Sequence, residues 1–238
     1  MPSQFFTTQR AKAEATASFM PKNRMGMREV KVLGVDLAGS PHRISGICVL
    51  AFHKGEGREE RVEEEEGAEV NAEGSWGKRL WRWSACYFRS VRTDEEILSV
   101  AKEEKPAVVG IDAPLSFSGK PFRECDIAVR HLCPVLPLTF SGMRKLAERG
   151  MRLASKLRAL RSAEGRRVDV IEVFPRASER VFGTRMKEKL KDVLSLARNR
   201  HEYDAFLCAL TARCYFEGKF QALGAEEKII VPLLQFNV

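Results

Sequence analysis

The stretches VKVLGVDLAGS at 30–40 and PAVVGIDAPLS at 106–116 decide the fold prediction for this chain. Each is a short apolar run, rich in β-branched residues, that ends in a glycine, a hydrophobic residue and a carboxylate before small or turn-forming residues. This is the pattern of a buried strand. Both strands place an acid, Asp36 or Asp112, near the carboxyl end, where ligands and catalytic groups gather in parallel sheets. Two acids side by side repel each other unless a cation lies between them, so the pattern predicts a divalent-metal site.

The composition indicates a globular protein large enough to bury a full core. The chain has 238 residues, of which 44% are hydrophobic and 30% charged. No run approaches the roughly 18 apolar residues that span a membrane, and the N-terminus lacks the apolar region of a secretory signal. The six cysteines lie apart inside apolar patterns, with no CxxC pair and no histidine at ligand spacing. We therefore expect reduced thiols rather than a zinc site, no membrane association, and a cytoplasmic protein.

The charge balance favours a polyanionic partner. The formal net charge is +8, and a glutamate-rich run at 56–69 makes the rest of the chain more basic than this total indicates.

The order of predicted elements describes one domain with two insertions. Residues 1–26 have no periodicity and are expected to form a disordered tail, or to precede a true start at Met27; residues 27–238 form the single domain. The predicted strands are 29–36, 44–52, 79–91, 107–112 and 168–175, and an acidic loop at 54–78 separates the second from the third. The predicted helical segments are 93–105, an insertion at 121–165, a short stretch from 176, 186–198 and 201–218. A short strand, KIIVPLL at 228–234, either closes the sheet or lies at its edge.

One predicted helix carries an unusually basic surface. The segment GMRKLAERGMRLASKLRAL at 142–160 has an apolar stripe, and its other positions are mostly lysine and arginine. This surface is either an ordinary solvated face or one that follows the phosphates of a nucleic acid.

Four carboxylates lie where ionised acids are uncommon unless paired or metal-bound. Asp36, Asp112 and Glu172 are on or after apolar strands, and Asp204 is in the first turn of an apolar helix. Such oxygen-rich sites suit Mg²⁺ or Mn²⁺, and two such ions promote phosphodiester cleavage. In this interpretation Asp36 bridges both ions, Asp112 and Asp204 each complete one coordination sphere, and Glu172 is a ligand or orients water. Salt bridges to nearby arginines are the alternative.

Two smaller polar groups are candidate substrate contacts. Arg123, Asp126 and Arg130 recur at helical spacing near the Asp112 loop, and either hold a phosphate or pair with each other. The second group, Thr139, Ser141 and Arg144, lies at a helix start, where it either binds an anion or caps the helix. His201 is a candidate proton shuttle, with a structural role as the alternative.

Five segments in order resemble a known family. They are GVDLAGS at 34–40, GIDAPLS at 110–116, RECDIAVR at 123–130, IEVFPRAS at 171–178 and HEYDAFLCALTA at 201–212. Together they are similar to the family named domain of unknown function 429, regarded as predicted nucleases of ribonuclease-H-like fold. The resemblance implies an α/β domain with a mixed five-stranded sheet of order 3-2-1-4-5, flanked by helices, with a helical insertion after strand 4.

The resemblance also bears on the acids. It maps the catalytic acids onto Asp36 and Asp112, with Glu172 and Asp204 as the matching later ones. Ribonucleases H usually carry a further acid on the first helix after the meander, where this chain has only Glu95, Glu96, Glu103 and Glu104, which are predicted to be exposed.

The sequence therefore predicts an enzyme, a metal-dependent nuclease that acts on DNA or RNA. Two alternatives remain open: a catalytically idle nucleic-acid-binding or scaffold protein, and a hydrolase of a small phosphorylated metabolite. An actin-like or sugar-kinase phosphotransferase would need two such lobes, and a proofreading exonuclease would need an Asp-x-Glu in place of Asp36-Leu37-Ala38.

Overall fold

A computed structural model describes residues 29–53, 83–189 and 195–233 of the chain, and of 184–189 it describes the backbone only. The predicted tail at 1–26 and the predicted acidic loop at 54–78 lie outside the described residues. None of the described helices is long and apolar enough to cross a membrane.

The described residues form a mixed α/β structure with seven strands and five helices. The strands are β1 (Glu29–Asp36), β2 (Ser45–His53), β3 (Ala85–Val91), β4 (Val108–Asp112), β5 (Asp169–Val173), β6 (Phe220–Leu223) and β7 (Ile229–Pro232). The helices are α1 (Asp94–Glu104), α2 (Glu124–Val129), α3 (Ser141–Arg158), α4 (Pro175–Lys189) and α5 (Arg200–Phe216).

The strands form one sheet in the order β3-β2-β1-β4-β5-β7-β6. Strand β1 is antiparallel to β2 and parallel to β4, and β4, β5 and β7 are parallel neighbours. The first five positions follow the predicted order, but the prediction of a five-stranded sheet is wrong. The KIIVPLL segment neither closes the sheet nor forms its edge: β7 lies between β5 and the edge strand β6. Strand β7 is apolar at every position, so it is buried more favourably inside the sheet than at its edge.

The second helix predicted after β5 is also different. Helix α4 extends to Lys189, with a break at Gly183, whose φ of 66° is in the left-handed region. Residues 195–198 are not helical, so the helix predicted at 186–198 does not extend to its expected end within the described residues. A glycine tolerates this φ, and the break separates two helical stretches, as predicted, although the second begins before residue 186.

The core has one apolar layer on each face of the sheet, as the alternation along β1 predicts. Val30 and Val32 pack toward α5, which is buried along most of its length. Leu33 and Val35 face the other way, toward α1 and α3. The predicted α1 is confirmed with a capping box, in which Thr93 and Glu96 satisfy each other's backbone donors.

The two helices of the predicted insertion pack against different parts of the sheet. Helix α3 buries its apolar stripe on the sheet face opposite α5. The short helix α2 packs instead against the added strands, where Cys125 and Val129 contact Leu223, Ile229 and Val231. The insertion therefore covers the two strands that extend the predicted sheet.

Candidate functional site

The two aspartates of the Gly-x-Asp segments are direct neighbours. Asp36 and Asp112 are the last residues of β1 and β4 and are register partners in the parallel ladder. Parallel neighbours lie about 4.8 Å apart, and register partners point to the same face of the sheet. Both side chains therefore lie on the α5 face, at the carboxyl ends of the strands.

Glycines let α5 lie close to the carboxyl ends of the strands. A Cβ at Gly34 would lie 2.0 Å from the carbonyl oxygen of Ala205, and one at Gly46 would lie 2.0 Å from that of His201. A Cβ at Gly110 would lie 2.7 Å from the carbonyl oxygen of Cys208. The glycine two residues before each aspartate thus lets the helix backbone lie against the strands, which places the first turns of α5 over the two acids.

A buried acid anchors the start of α5. Asn199 is the N-cap, and its side chain accepts from the backbone N–H of Glu202. The fully buried Glu202 carboxylate accepts from Ser90 on β3 at 2.9 Å and from Arg198 at 2.7 Å. Burial opposes ionisation of Glu202, but these hydrogen bonds hold its pKa below the ordinary range. Glu202 is therefore a structural acid that fixes the helix start, a role that its place in the sequence did not reveal.

Asp204 joins the two strand aspartates from α5. Arg200 Nε donates to Asp204 Oδ2 at 2.9 Å. Arg200 Nη2 lies 2.9 Å from Oδ1 without a hydrogen bond, so Oδ1 is a buried oxygen that no donor in the described part of the chain satisfies. Arg200 is held in turn by Glu179 at 3.5 Å. The Arg200 guanidinium therefore supplies positive charge beside this oxygen but no aligned hydrogen bond, and its charge favours the ionised form of Asp204.

His201 contacts the first of the aspartates. Its Nδ1 lies 2.6 Å from Asp36 Oδ2, and half of the histidine side chain is exposed. The histidine that was predicted only as a possible proton shuttle thus touches the carboxylate group directly.

The pKa values of all three aspartates are raised. Burial is the largest cause in each case. The pKa of Asp36 is about 6, because burial and the charge of Asp204 outweigh the contact with His201. The pKa of Asp112 is well above its ordinary value, because the charges of Asp36 and Asp204 add to burial. The shifts therefore report chiefly that the three carboxylates are buried, with repulsion between neighbouring acids as a smaller contribution.

Arg176 was not among the predicted site residues. It is exposed at the start of α4, makes no hydrogen bond or ion pair within the described residues, and its charge favours the ionised forms of Asp112 and Asp204. The segment IEVFPRAS contains it, but one arginine beside a proline has no distinctive spacing. Only the packing of α4 against α5 brings it to the aspartates.

The structure does not bring Glu172 into this group. Its register partner is Ile111, which packs on the α1 and α3 face, so Glu172 points to the face opposite Asp112. Arg123 donates to both of its carboxylate oxygens, at 2.6 and 2.9 Å, and the backbone N–H of Leu115 donates at 2.8 Å. Burial raises the pKa of Glu172, and Arg123 opposes this. Glu172 also lines a cavity of about 460 Å³ that none of the three aspartates lines.

The predicted substrate contacts have other partners. Arg123 and Asp126 are buried and paired at 2.8 Å, so these two residues pair with each other, the second of the two roles predicted for them. Arg130 is not part of this pair, because it stacks on the Phe122 ring at 3.8 Å. On α3, Ser141 is exposed in the first turn, and Arg144 pairs with Glu148 on the surface at 3.0 Å. The N-cap of α3 is Phe140, which makes no side-chain capping bond.

The donor set of Asp36, Asp112 and Asp204 suits a hard divalent cation. All three candidate ligands are carboxylates, which Mg²⁺ and Mn²⁺ prefer, and Asp204 Oδ1 accepts no hydrogen bond from the described residues, although Arg200 lies 2.9 Å away in an ion pair. Among the described residues, no three His, Cys, Asp or Glu side chains are already arranged to hold a metal ion. In the structure the side chains of Asp36 and Asp204 are instead directed to His201 and Arg200.

The sheet and the site define a class: an α/β protein with an aspartate cluster at the carboxyl ends of two parallel strands. The family model described as "Protein of unknown function (DUF429)" matches residues 34–203. The chain therefore belongs to this family, as its five segments predicted. The matched residues include Asp36 and Asp112 and end one residue before Asp204. No curated protein and no solved structure matches the chain.

Proposed function

We propose that this protein is a metal-dependent nuclease of ribonuclease-H-like fold that hydrolyses phosphodiester bonds of DNA or RNA. The observation that carries the proposal is the convergence of Asp36, Asp112 and Asp204, all with raised pKa values, at one edge of the sheet. The order β3-β2-β1-β4-β5 within the larger sheet supports the fold assignment. An aspartate cluster at the carboxyl ends of parallel strands is where such chemistry is expected.

In this proposal the three aspartates hold Mg²⁺ or Mn²⁺, which would activate a water and stabilise the leaving oxygen. Asp36 and Asp204 would exchange their contacts with His201 and Arg200 for the cation. Arg176, exposed and without a partner in the described residues, would bind a non-bridging phosphate oxygen beside Asp112. His201, half-exposed next to Asp36, would carry a proton between the site and water.

A second candidate is a nucleic-acid-binding or scaffold protein without activity. Two observations favour it: among the described residues no group of side chains is preorganised for a metal, and the fourth predicted acid is paired with Arg123. A hydrolase of a small phosphorylated metabolite is the third candidate. Binding that weakens steeply with salt would favour a long polyanion over a small substrate.

The test is calorimetric titration with Mn²⁺, followed by cleavage assays on single- and double-stranded DNA and RNA. The variants are Asp36→Asn, Asp112→Asn and Asp204→Asn. Asp169→Asn is the matched control, because Asp169 is exposed at the first position of β5, remote from the carboxyl ends. We expect Mn²⁺ binding and Mn²⁺-dependent cleavage in the wild type and in the control, and loss of both in the three variants.

Two results would reject the proposal. Cleavage that persists in all three aspartate variants would place the activity elsewhere. Absence of cleavage on every substrate, with no Mn²⁺ binding at millimolar concentration, would favour the inactive nucleic-acid-binding protein.

A further inference from the structure

A second positively charged feature lies at the far end of α3 from the aspartates. Residues 161 and 167 pair in an isolated antiparallel bridge, and both are arginines. Together with Arg158 at the end of α3, they line a pocket of about 320 Å³, along with Ser155 and Ala159. No acidic residue of the described part of the chain lines this pocket.

The hydrogen bonds of Arg158 and Arg161 do not neutralise their charge, although Arg158 also borders the cavity of about 460 Å³ that Glu172, Glu226 and Glu227 line. Directly opposed like charges across two strands are destabilising, and here Arg161 opposes Arg167. Arg161 donates to the carbonyl of Gly165 at 3.2 Å and Arg158 to that of Val170 at 3.4 Å, so neither meets a carboxylate. The neighbouring Arg166, which does not line the pocket, lies 3.8 Å from Glu164. Three guanidinium groups and a serine hydroxyl form a set of donors that suits a phosphate.

The exposed side of α3 runs from this pocket to the carboxyl-terminal end of the strands, where Asp36 lies, although α3 covers the sheet face opposite α5 and the aspartate side chains. Gly142, in the first turn of α3, contacts the loop that follows Asp36, since a Cβ on Gly39 would lie 3.4 Å from its carbonyl oxygen. From that end, Lys145, Arg152 and Lys156 are exposed at spacings of seven and four residues, so they share one side of the helix. Glu148 lies on the same side between the first two of them, and its carboxylate is paired with Arg144. With 18 residues and a rise of about 1.5 Å per residue, α3 extends for about 27 Å.

We infer that the Arg158–Arg161–Arg167 pocket binds a backbone phosphate of a nucleic acid whose strand runs along α3 and passes over the carboxyl-terminal end of the sheet to reach the aspartates. The inference rests on the proposed function, because it takes the aspartates as the point where that strand is cleaved. A nucleic acid fits this surface better than an anionic membrane. Among the described residues, none of the exposed large hydrophobic side chains lies between 141 and 167, and the nearest is Phe140 at the N-cap of α3, so the face lacks the apolar stripe that an amphipathic helix inserts into lipid.

The test measures binding without metal, so that it does not depend on catalysis. A fluorescently labelled 20-nucleotide strand is titrated with protein in EDTA at several salt concentrations, and binding is followed by anisotropy. Such a strand is longer than the roughly eight stacked nucleotides that span α3. The variant is Arg161→Gln with Arg167→Gln. The matched control is Arg166→Gln, which removes a neighbouring arginine outside the pocket.

We expect the double variant to bind at least about tenfold more weakly and to lower the slope of log K against log salt by about 1 to 2, as loss of phosphate contacts requires. The control should bind within about twofold of the wild type. All substituted side chains are exposed, and thermal unfolding of each variant verifies the fold. Equal affinities of the double variant and the control would overturn the inference, as would wild-type binding to phosphatidylserine vesicles but not to the oligonucleotide.

The same variants separate the two proposals. If the double variant loses binding, and neither the wild type nor any variant cleaves a substrate, the pocket inference is supported and the nuclease proposal fails. If Mn²⁺-dependent cleavage is found and the double variant binds like Arg166→Gln, only the pocket inference fails.

Discussion

At the scale of single residues, the aspartate cluster is unfavourable for folding. Asp36, Asp112 and Asp204 are partly buried near one another, and the pKa of each is raised by burial. Groups that are destabilised in the folded state commonly mark functional sites, since stability alone would select a neutral residue there.

The first prediction concerns the pH dependence of stability without metal. Asp36 has a folded-state pKa of about 6 against an ordinary value of 3.8, so the folded protein binds this proton more tightly than the unfolded chain. Ionised Asp36 therefore lowers the free energy of unfolding above pH 6, and this cost disappears as the pH falls from about 6 to about 4. In EDTA, we expect Asp36→Asn to raise the free energy of unfolding at pH 7 by about 1–3 kcal/mol and to have little effect at pH 4. Urea unfolding at both pH values measures this; a stability loss at pH 7 would contradict it.

A second prediction concerns the buried ion pair on the opposite face. Arg123→Leu leaves the carboxylates of Glu172 and Asp126 buried without their cation, so we expect a loss of about 3–5 kcal/mol in the free energy of unfolding. The control is Arg144→Leu, whose pair with Glu148 is exposed, and which should change stability by no more than about 0.5–1 kcal/mol. Urea denaturation at pH 7 compares the two, and similar losses would show that the Arg123 cluster is not a structural centre.

The role of Glu172 gives a third prediction. Because its side chain points away from Asp112 and is held by Arg123, we expect Glu172→Gln to retain Mn²⁺ affinity within about threefold while lowering stability. Asp204→Asn should lose Mn²⁺ binding. Calorimetric titration of both variants decides the matter, and loss of Mn²⁺ binding in folded Glu172→Gln would make Glu172 a ligand after all.

At the scale of elements, the site depends on how closely α5 approaches the sheet. The carboxylates of β1 and β4 belong to the strands, whereas Asp204 belongs to the helix, and the glycines on the strands set the distance between them. Glu202 then fixes where α5 begins through its hydrogen bond from Ser90 on β3. The position of the third aspartate is therefore a property of the packing between the helix and the sheet.

The fourth prediction tests this packing. The new methyl group of Gly34→Ala would lie 2.0 Å from the backbone oxygen of Ala205 and 2.4 Å from the backbone nitrogen of Ala209. Backbone atoms cannot move aside alone, so we expect a loss of about 3 kcal/mol or more and weaker Mn²⁺ binding. The control is Gly142→Ala in the first turn of α3, where nothing lies within 4 Å and a gain of up to about 1 kcal/mol is expected. Unfolding and Mn²⁺ titrations that do not distinguish the two variants would contradict this account.

At the scale of the whole molecule, the central strands β1, β2 and β4 share many ladder pairs, whereas the added strands β6 and β7 are joined to the rest of the sheet by few. Strand β1 pairs with β4 from Val32 to Asp36 and with β2 along its full length. In contrast, β7 joins β5 only at Glu172 and Val173, and β6 is attached through β7. Strand β7 is therefore held to the centre by few ladder pairs, although its side chains are buried against α2 and α5, and segments with few links to the core open at lower free energy than the core itself.

The fifth prediction follows from this difference. In native-state hydrogen exchange, we expect amides of β6 and β7 to exchange at least about tenfold faster than those of β1 and β4, since the pair can open without disrupting the central strands. The other edge strand, β3, pairs with β2 from Ala85 to Val91 and should be better protected than β6. Equal protection of β6, β7 and β1 would show that the seven strands open as one unit.

Much of this architecture follows from local patterns. The apolar runs that end in Asp36 and Asp112 predict β1 and β4, because strand formation there needs only β-branched residues between turn signals. Thr93 and the acids that follow it predict the start of α1, and the apolar run after Asp204 predicts the burial of α5. The family resemblance supplied the order of the first five strands, which no local pattern contains.

The sequence by itself indicated most of the strands and helices, though not β6 or the end of α4, and the residue types that could form a metal site, because these depend largely on neighbours within a few positions along the chain. Only the tertiary structure decided which acids meet. Asp204 lies over the strand aspartates because the glycines admit α5, while Glu172 turns to Arg123, which lies 49 residues earlier in the chain. Strand register and helix packing determine which of these partners meet. Both depend on contacts between residues far apart in sequence, so they cannot be predicted from the spacing of residues within one segment.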